Sequence, residues 1–338
     1  MTVILAIESS CDETACALVK DGKEILSNIV SSQINTHTLY GGVVPEVASR
    51  IHVENISAVV EEGVKKSGLG MENVDAVAYT LGPGLIGSLH VGVLAAKTLA
   101  FAYHKPLVPV HHIASHIYAN AFVEDLQFPL LALVVSGGHT QLIWMKEDYS
   151  FEEIGTTVDD AIGEAYDKVA RVLGLGYPGG PAIDRLAKEG RQNRDYILPK
   201  PKTAGAYDFS FSGLKTAVLQ LNDRLKRQGK EVSSADLAYC FQETALNLLA
   251  DKTIRAAREY RPKMLVLAGG VAANSRLREL MNEKTAELED IITVIPPLKY
   301  CTDNAAMIGA AGYAAYRHGR FGTMQDAADP GLLMPGEN

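Results

Sequence analysis

His111, His112 and His116 fall in the segment VPVHHIASHIYANAF, where a short apolar run gives way to helix-forming residues. His112 and His116 are four positions apart. On a helix this spacing puts both imidazoles on one face, about 5–6 Å apart at Cβ. Two imidazoles so placed can hold one divalent metal. A lone HxxxH is more often a pair of histidines with ordinary hydrogen-bond partners. A metalloprotease would carry Glu directly after the first histidine as its general base. Ile113 stands there, so that mechanism lacks its base. A metal would need a third ligand. Asp303 is a candidate, because it follows the run IITVIPP and opens the last helix. Functional side chains gather at the ends of parallel strands.

Three glycine turns form a second group: VVSGGHT (134–140), GYPGGPAID (176–184) and LAGGVAAN (267–274). Backbone amides in such turns can approach a phosphate closely, and a helix N-terminus favours an anion. Each alone reads as a tight turn or a helix cap. Three together, two of them at strand ends, point to a nucleotide. Neither GxxxxGK[ST] nor GxGxxG is present. Carboxylates are the third group. Asp12 and Glu13 follow the first strand, where a turn can aim them at a ligand. Asp159 and Asp160 precede a helix and suit its cap. Asp167, inside that helix, reads by itself as an ordinary exposed carboxylate. Glu46 and Arg50 are spaced for a surface ion pair of small energetic value.

These residues need elements to position them. VILAIESS is a near-continuous apolar run, the mark of a strand buried on both faces. Two more strands follow around the turn Asp21-Gly22. Pro45 opens a helix whose expected core face is Val47, Ile51, Val53, Ile56, Val59, Val60 and Val64. Strand DAVAYTL, a helix over 88–104, strand PLVPV and the histidine segment complete the first part. Near residue 130 the order restarts with LLALVVSG, HTQLIWMKE and FEEIGTT. Helices are expected from 159 to about 260. Strand MLVLAGG, a helix, strand IITVIPP and a closing helix over 303–318 follow. This is an α/β order in which the second half repeats the opening device of the first. The predicted domains are 1–128 and 129–338. The second carries a helical insertion over about 159–260, and the last helix is expected to return to the first.

Composition bounds the class. The chain has 338 residues, 47% hydrophobic and 21% charged, with net charge −8. That length predicts two domains. No apolar stretch reads as a membrane span, and the N-terminus does not read as a signal peptide. Cys11, Cys16, Cys240 and Cys301 form no CxxC, so neither a disulfide framework nor a zinc ribbon is expected. The expectation is a cytoplasmic protein with reduced thiols.

Taken in order, IESSCDET, GGVVPEVASR, YTLGPGLIGSL, PVHHIASH, LVVSGGHTQL, GEAYDKVARVLGLGYPGGP, FSFSGLKT, LAGGVAAN and CTDNAAM resemble the TsaD family. These are the bacterial members of a universal family once described as O-sialoglycoprotein endopeptidases. The resemblance covers nearly the whole chain. Ser115 departs from it, since many members carry glycine before the second metal histidine. The resemblance implies an actin-like ATPase fold, with two related domains of mixed sheets flanked by helices around a nucleotide cleft. It implies one divalent metal, usually iron, with zinc as the alternative, on His112, His116 and Asp303. It implies substrate contacts by Val134, Val135, Ser136, Gly137, Gly138, Asp167, Gly180, Asp184 and Asn274. The implied reaction moves a threonylcarbamoyl group from threonylcarbamoyl-AMP to N6 of the adenosine 3′ of the anticodon in tRNAs reading ANN codons. The implied partners are TsaB and the ATPase TsaE, with no membrane.

Glu13 or Asp12 is the expected general base, from its place after the first strand. An acidic chain sits awkwardly with a tRNA substrate, which recruits Lys and Arg along its backbone. Local basic clusters exist at Lys65-Lys66, at Arg224, Lys226 and Arg227, at Arg255 and Arg258, and at Arg276 and Arg278. Each could equally be a solvated helix face. Alternative readings are an ATP-dependent small-molecule kinase of the same fold, a zinc endopeptidase and a scaffold.

Overall fold

The computed structural model of the chain describes residues 1–288 and 290–336. It divides into two compact units. The first comprises Met1–Leu126, Met145–Glu152 and the chain from Pro296 onward; the second comprises Gln127–Trp144 and Glu153–Ile295.

The first unit contains β1 (Val3–Glu8), β2 (Glu13–Lys20), β3 (Glu24–Ser32), α1 (Ile34–Thr38), α2 (Pro45–Ser67), β4 (Ala76–Gly82), α3 (Ile86–Tyr103), β5 (Leu107–His111) and α4 (His112–Tyr118). The second contains most of β6 (Leu130–Val135), β7 (Thr140–Met145) and β8 (Glu152–Thr156). It continues with α5 (Ile162–Val172), α6 (Gly179–Ala187), α7 (Ser212–Arg227), α8 (Ser234–Tyr260), β9 (Met264–Ala268), α9 (Ser275–Thr285) and β10 (Ile292–Val294). The last helix, α10 (Ala305–Arg317), belongs to the first unit.

In the first unit the strand order is β3-β2-β1-β4-β5. β1 runs antiparallel to β2 and parallel to β4, and β5 continues the parallel side. Both faces of this sheet are covered, which is why β1 is apolar without alternation. Leu5, Ile7, Leu18, Val77 and Tyr79 join a core with Val59 of α2 and Leu89 and Val93 of α3. The opposite face meets α10, a helix of Ala and Gly. A Cβ on Gly309 would lie 2.5 Å from Val19 Cγ2, and one on Gly312 2.6 Å from Ala78 Cβ. Small residues therefore let α10 approach the sheet.

The second sheet has the order β10-β9-β6-β7-β8. Read from its other end, it places the unit's first strand centrally, with the next two strands on one side and the two later strands on the other. The first sheet has the same layout, so the restart near residue 130 is a restart of the architecture. β6 pairs parallel with β9, and β9 with β10.

Several local expectations need correction. The core face of α2 is Ala48, His52, Val59 and Gly63, while Val53 is exposed. Ile56, Val60 and Val64 are partly buried against the same core as expected, and the close approach to β2, with Gly63 against Cys16, adds small residues that periodicity did not pick out. Glu46 and Arg50 form no ion pair among the described residues. Asp159 does not cap α5; it accepts from the Phe211 and Ser212 amides at the start of α7. The chain between α6 and α7 is irregular rather than helical. Finally, α3 is long and apolar enough by length and composition to cross a membrane. It packs on α2 and β4, and buries Leu89, Val93, Ala96 and Ala100. None of the four cysteines forms a disulfide among the described residues.

Candidate active site

β5 delivers the histidine segment, and α4 begins at its end. His111 is the N-cap: its Nδ1 accepts from the amides of Ile113 (3.2 Å) and Ala114 (3.4 Å). Its Nε2 is then the protonated nitrogen and donates to the Leu332 carbonyl at 3.0 Å. His111 thus starts the helix that carries the other two. His112 and His116 lie on one face, with ring centroids 4.9 Å apart and planes at 80°. Asp303, just ahead of α10, completes the group because α10 packs on α4. Its Oδ1 is 3.7 Å from His112 Nε2 and 3.2 Å from His116 Nε2.

One nitrogen of each imidazole and one Asp303 oxygen lie within 4.8 Å of one another. This donor set suits a divalent cation. A second observation supports the fit. Both ring nitrogens of His116 are buried with no hydrogen-bond partner among the described residues. Buried polar atoms are rarely left so, and a coordinated cation would satisfy one of them.

Glu8 stands behind His112. It is fully buried at the end of β1. Its Oε2 lies 3.0 Å from His112 Nδ1 and accepts from Thr80 Oγ1 at 2.7 Å, while Oε1 accepts from the Ser10 amide. Burial opposes the charge on each partner, but their mutual attraction outweighs it: Glu8 is held below its usual range. His112 is pushed up to about 9 against its burial by Asp303 and Glu8. A carboxylate on Nδ1 fixes the tautomer that offers Nε2 toward Asp303. Glu8→Gln places an amide donor against either the Ser10 amide or His112 Nδ1. We expect a loss of about 10- to 100-fold in metal affinity, measured by titrating cobalt(II) and following its visible absorption. Unchanged affinity would leave Glu8 a packing residue.

Asp12 and Glu13 lie in the turn after β1 and at the first position of β2. Glu13 Oε1 accepts from Ser32 Oγ at 3.1 Å. Burial, then the charges of Asp303 and Asp12, push Glu13 up to about 10. Three carboxyls so crowded call for a cation, and Glu13, one of the three, retains its proton at neutral pH until a cation offsets the charge of Asp303 and Asp12.

The second unit holds the glycine turns at the carboxyl ends of the adjacent parallel strands β6 and β9. Val134 and Val135 end β6 and are buried. The Ser136 amide donates to the His139 carbonyl, and the Gly163 amide at the start of α5 donates to the Ser136 carbonyl. A Cβ on Gly137, Gly138 or Gly180 would meet nothing within 4 Å, so these backbones face open space. Asp167 is half-buried rather than exposed, and its Oδ1 accepts from the Gly179 amide at 2.7 Å, holding the start of α6. Burial raises its pKa against that hydrogen bond. Asp184 accepts from the Ser275 amide and hydroxyl. Asn274 caps α9 through Leu277 and donates to Gln242 and Tyr166. These residues join the starts of α6 and α9 beside the glycine turns, the side of a parallel sheet that favours anionic ligands.

The profile described as TsaD, tRNA N6-adenosine threonylcarbamoyltransferase, matches residues 24–310. The chain belongs to the TsaD family. The tRNA N6-adenosine threonylcarbamoyltransferase of Bacillus subtilis (strain 168) is 56% identical over 334 residues, covering 98% of this chain and 95% of the relative. That of Geobacillus thermodenitrificans (strain NG80-2) is 57% identical over 332 residues, covering 98% and 96%. The activity is therefore that of a tRNA-modifying transferase. Among solved structures, T. kodakarensis HypF aligns with TM-score 0.64 at 16% identity, covering 94% of this chain and 48% of HypF. Component A of the Acidaminococcus fermentans (R)-2-hydroxyglutaryl-CoA dehydratase aligns with TM-score 0.54 at 15% identity, covering 94% and 100%. At such identities the likeness is one of fold, the actin-like ATPase fold.

For a TsaD-family chain, sequence reading overlooked Glu8, Thr80 and His52. His52 is buried, takes Thr14 Oγ1 on Nδ1 at 2.7 Å and reaches the Cys11 carbonyl at 2.9 Å, holding the turn before Asp12. The signal for Glu8 was available: a carboxylate ending a wholly apolar strand needs a partner.

Proposed function

We propose that the chain transfers threonylcarbamoyl from threonylcarbamoyl-AMP to N6 of the adenosine 3′ of the anticodon in tRNAs reading ANN codons. The observation that carries this reading is the His112, His116 and Asp303 cluster, with buried ring nitrogens on His116 that make no hydrogen bond among the described residues, in a chain of this family. These three residues hold one divalent metal, iron(II) with zinc as the alternative. When bound, the metal supplies a Lewis acid for the carbonyl under attack. Gly137, Gly138 and Gly180 present open backbone to the adenylate, Val134, Val135 and Ser136 frame the first of these turns, and Asn274 brings up the α9 N-terminus. Asp167 and Asp184 hold those loops in place.

The amine N6 bonds to the carbamoyl carbon, the bond from that carbon to the phosphate oxygen breaks, and AMP leaves with the electron pair. N6 gives up one proton. Asp12 or Glu13 accepts it; Glu13 serves once a cation at Asp303 offsets the charge that holds its proton on. Loss of a general base costs about 10²- to 10⁴-fold. Asp12→Asn and Glu13→Gln are therefore compared in single turnover. A slow variant identifies the base, and full rates in both remove the assignment.

The partners are TsaB and the ATPase TsaE, and the compartment is the cytoplasm. α2 and α3 pack together and leave Val53, Leu94 and Phe101 exposed, an apolar surface suited to TsaB. The deciding experiment reconstitutes the chain with TsaB, TsaE, threonylcarbamoyl-AMP and unmodified tRNA, alongside His112→Ala/His116→Ala. Product from wild type alone supports transfer and metal. Equal product from both removes the metal from the mechanism. No product from either reopens the kinase reading.

A further inference from the structure

The charge of this chain is unevenly distributed. Residues 185–230 carry eleven Lys and Arg against four Asp and Glu, a net of +7 within a chain of net −8. Much of this charge gathers at one place in the second unit. The loop after α6 is clamped to the α7–α8 turn: the Arg191 amide donates to Asp236 Oδ1 at 3.1 Å, and the Ser233 amide to Tyr196 OH at 3.0 Å. Lys230 Nζ meets Asp195 Oδ2 at 2.6 Å, and Arg224 reaches the Asp195 carbonyl at 3.5 Å. Arg191 and Arg194 are thereby held beside the last turn of α7, which carries Arg224, Lys226 and Arg227. All of these cations are exposed.

The other basic clusters are largely neutralised. Lys66 pairs with Glu62, Arg255 with Glu259, Arg258 with Glu287, and Arg276 with Glu243 and Glu283. In contrast, Arg191, Arg194, Lys226 and Arg227 have no ion pair among the described residues. Favourable interaction with the C-terminal end of the α7 dipole accounts for one or two cations there. It does not account for Arg191 and Arg194, which lie on another segment. A fixed group of unpaired guanidinium groups is suited to phosphates, which they bind in a bidentate manner.

We propose that the face formed by Arg191, Arg194, Arg224, Lys226, Arg227 and Lys230 docks the phosphate backbone of the tRNA substrate. The inference rests on the tRNA transferase reading and adds where the RNA lies. The contacts are to backbone rather than to bases, so they position the substrate without selecting its sequence.

The test measures binding of an unmodified tRNA transcript to the full chain across a KCl series, and the KM for tRNA in the complete reaction. Arg191→Gln/Arg194→Gln and Arg224→Gln/Arg227→Gln are each expected to make the slope of log K against log[KCl] shallower by about 2. KM for tRNA should rise while kcat and binding of the adenylate donor stay at wild-type values. Arg255→Gln/Arg258→Gln, from an ion-paired cluster, should leave the slope unchanged. Wild-type slope and KM in both test variants overturn the proposal. So does an equal shift in the control pair, which marks a general charge effect. Loss of association with the partner proteins at unchanged tRNA slope also overturns it and makes the face a site for an acidic protein. A wild type that neither binds nor modifies tRNA overturns the transferase reading together with the surface. A productive wild type with indifferent variants overturns the surface alone.

Discussion

His116→Ala is expected to lose the bound metal and about 10³-fold of the transfer rate. The chain offers three ligands, and two of them do not hold a divalent ion in a defined geometry. The lost Lewis acid is worth several kcal/mol of transition-state stabilisation, and about 4 kcal/mol corresponds to that factor. Among the described residues His116 makes no hydrogen bond that alanine would break, and its one close polar neighbour is the Asp303 carboxylate, 3.2 Å from Nε2. The fold should therefore suffer only the cavity left by a buried ring, about 1–3 kcal/mol. Metal content by elemental analysis and the single-turnover rate read the two effects separately. Wild-type protein stripped by a chelator should match the variant and recover when metal is returned, which the variant should not. A variant that keeps both metal and rate removes His116 from the site.

Gly269→Ala is expected to be strongly damaging to the second unit for a change of a single methyl. Gly269 has φ +88°, which costs an L-residue about 1–3 kcal/mol. Its added Cβ would also lie 2.4 Å from the Val135 carbonyl oxygen, a backbone atom at the end of β6 that cannot swing aside. The two strand ends would have to separate, and the glycine turns that follow them would move. We expect a loss of about 3 kcal/mol or more in the second unit, seen as faster amide exchange in β6 and β9. Donor binding should weaken with it. Cobalt(II) binding at His112, His116 and Asp303 is an internal control, since those residues belong to the first unit. Amide exchange and donor affinity at wild-type levels would show that the turn accommodates a side chain.

The site was unevenly legible. The histidine pair could be read directly, because four residues on a helix return to the same face whatever surrounds them. The glycine turns could be read because a buried strand followed by two glycines must turn. Their partners could not. Asp167 was expected in solvent, yet it is half-buried against the amide of Gly179 across a helix junction. Asp159 was expected to cap the helix that follows it, yet it caps α7, which comes much later in the chain. Local rules identify a good capping residue but not which helix it will reach.

Sequence alone determined the apolar strands, the restart of their order near residue 130, the start of α4 and the common face of His112 and His116. Each follows from periods of two or 3.6 residues and from turn chemistry, which act over a few positions. Tertiary structure decided the rest. It brought Asp303 to α4 through the close packing of a glycine- and alanine-rich α10, and set Glu8 behind His112 across the β1–β4 pair. It turned Ala48, His52 and Gly63 of α2 inward beside Val59. It also gathered Arg191 and Arg194 against the end of α7, where a net acidic chain presents a basic face. Those arrangements depend on which surfaces meet in space, and no period along the chain encodes that.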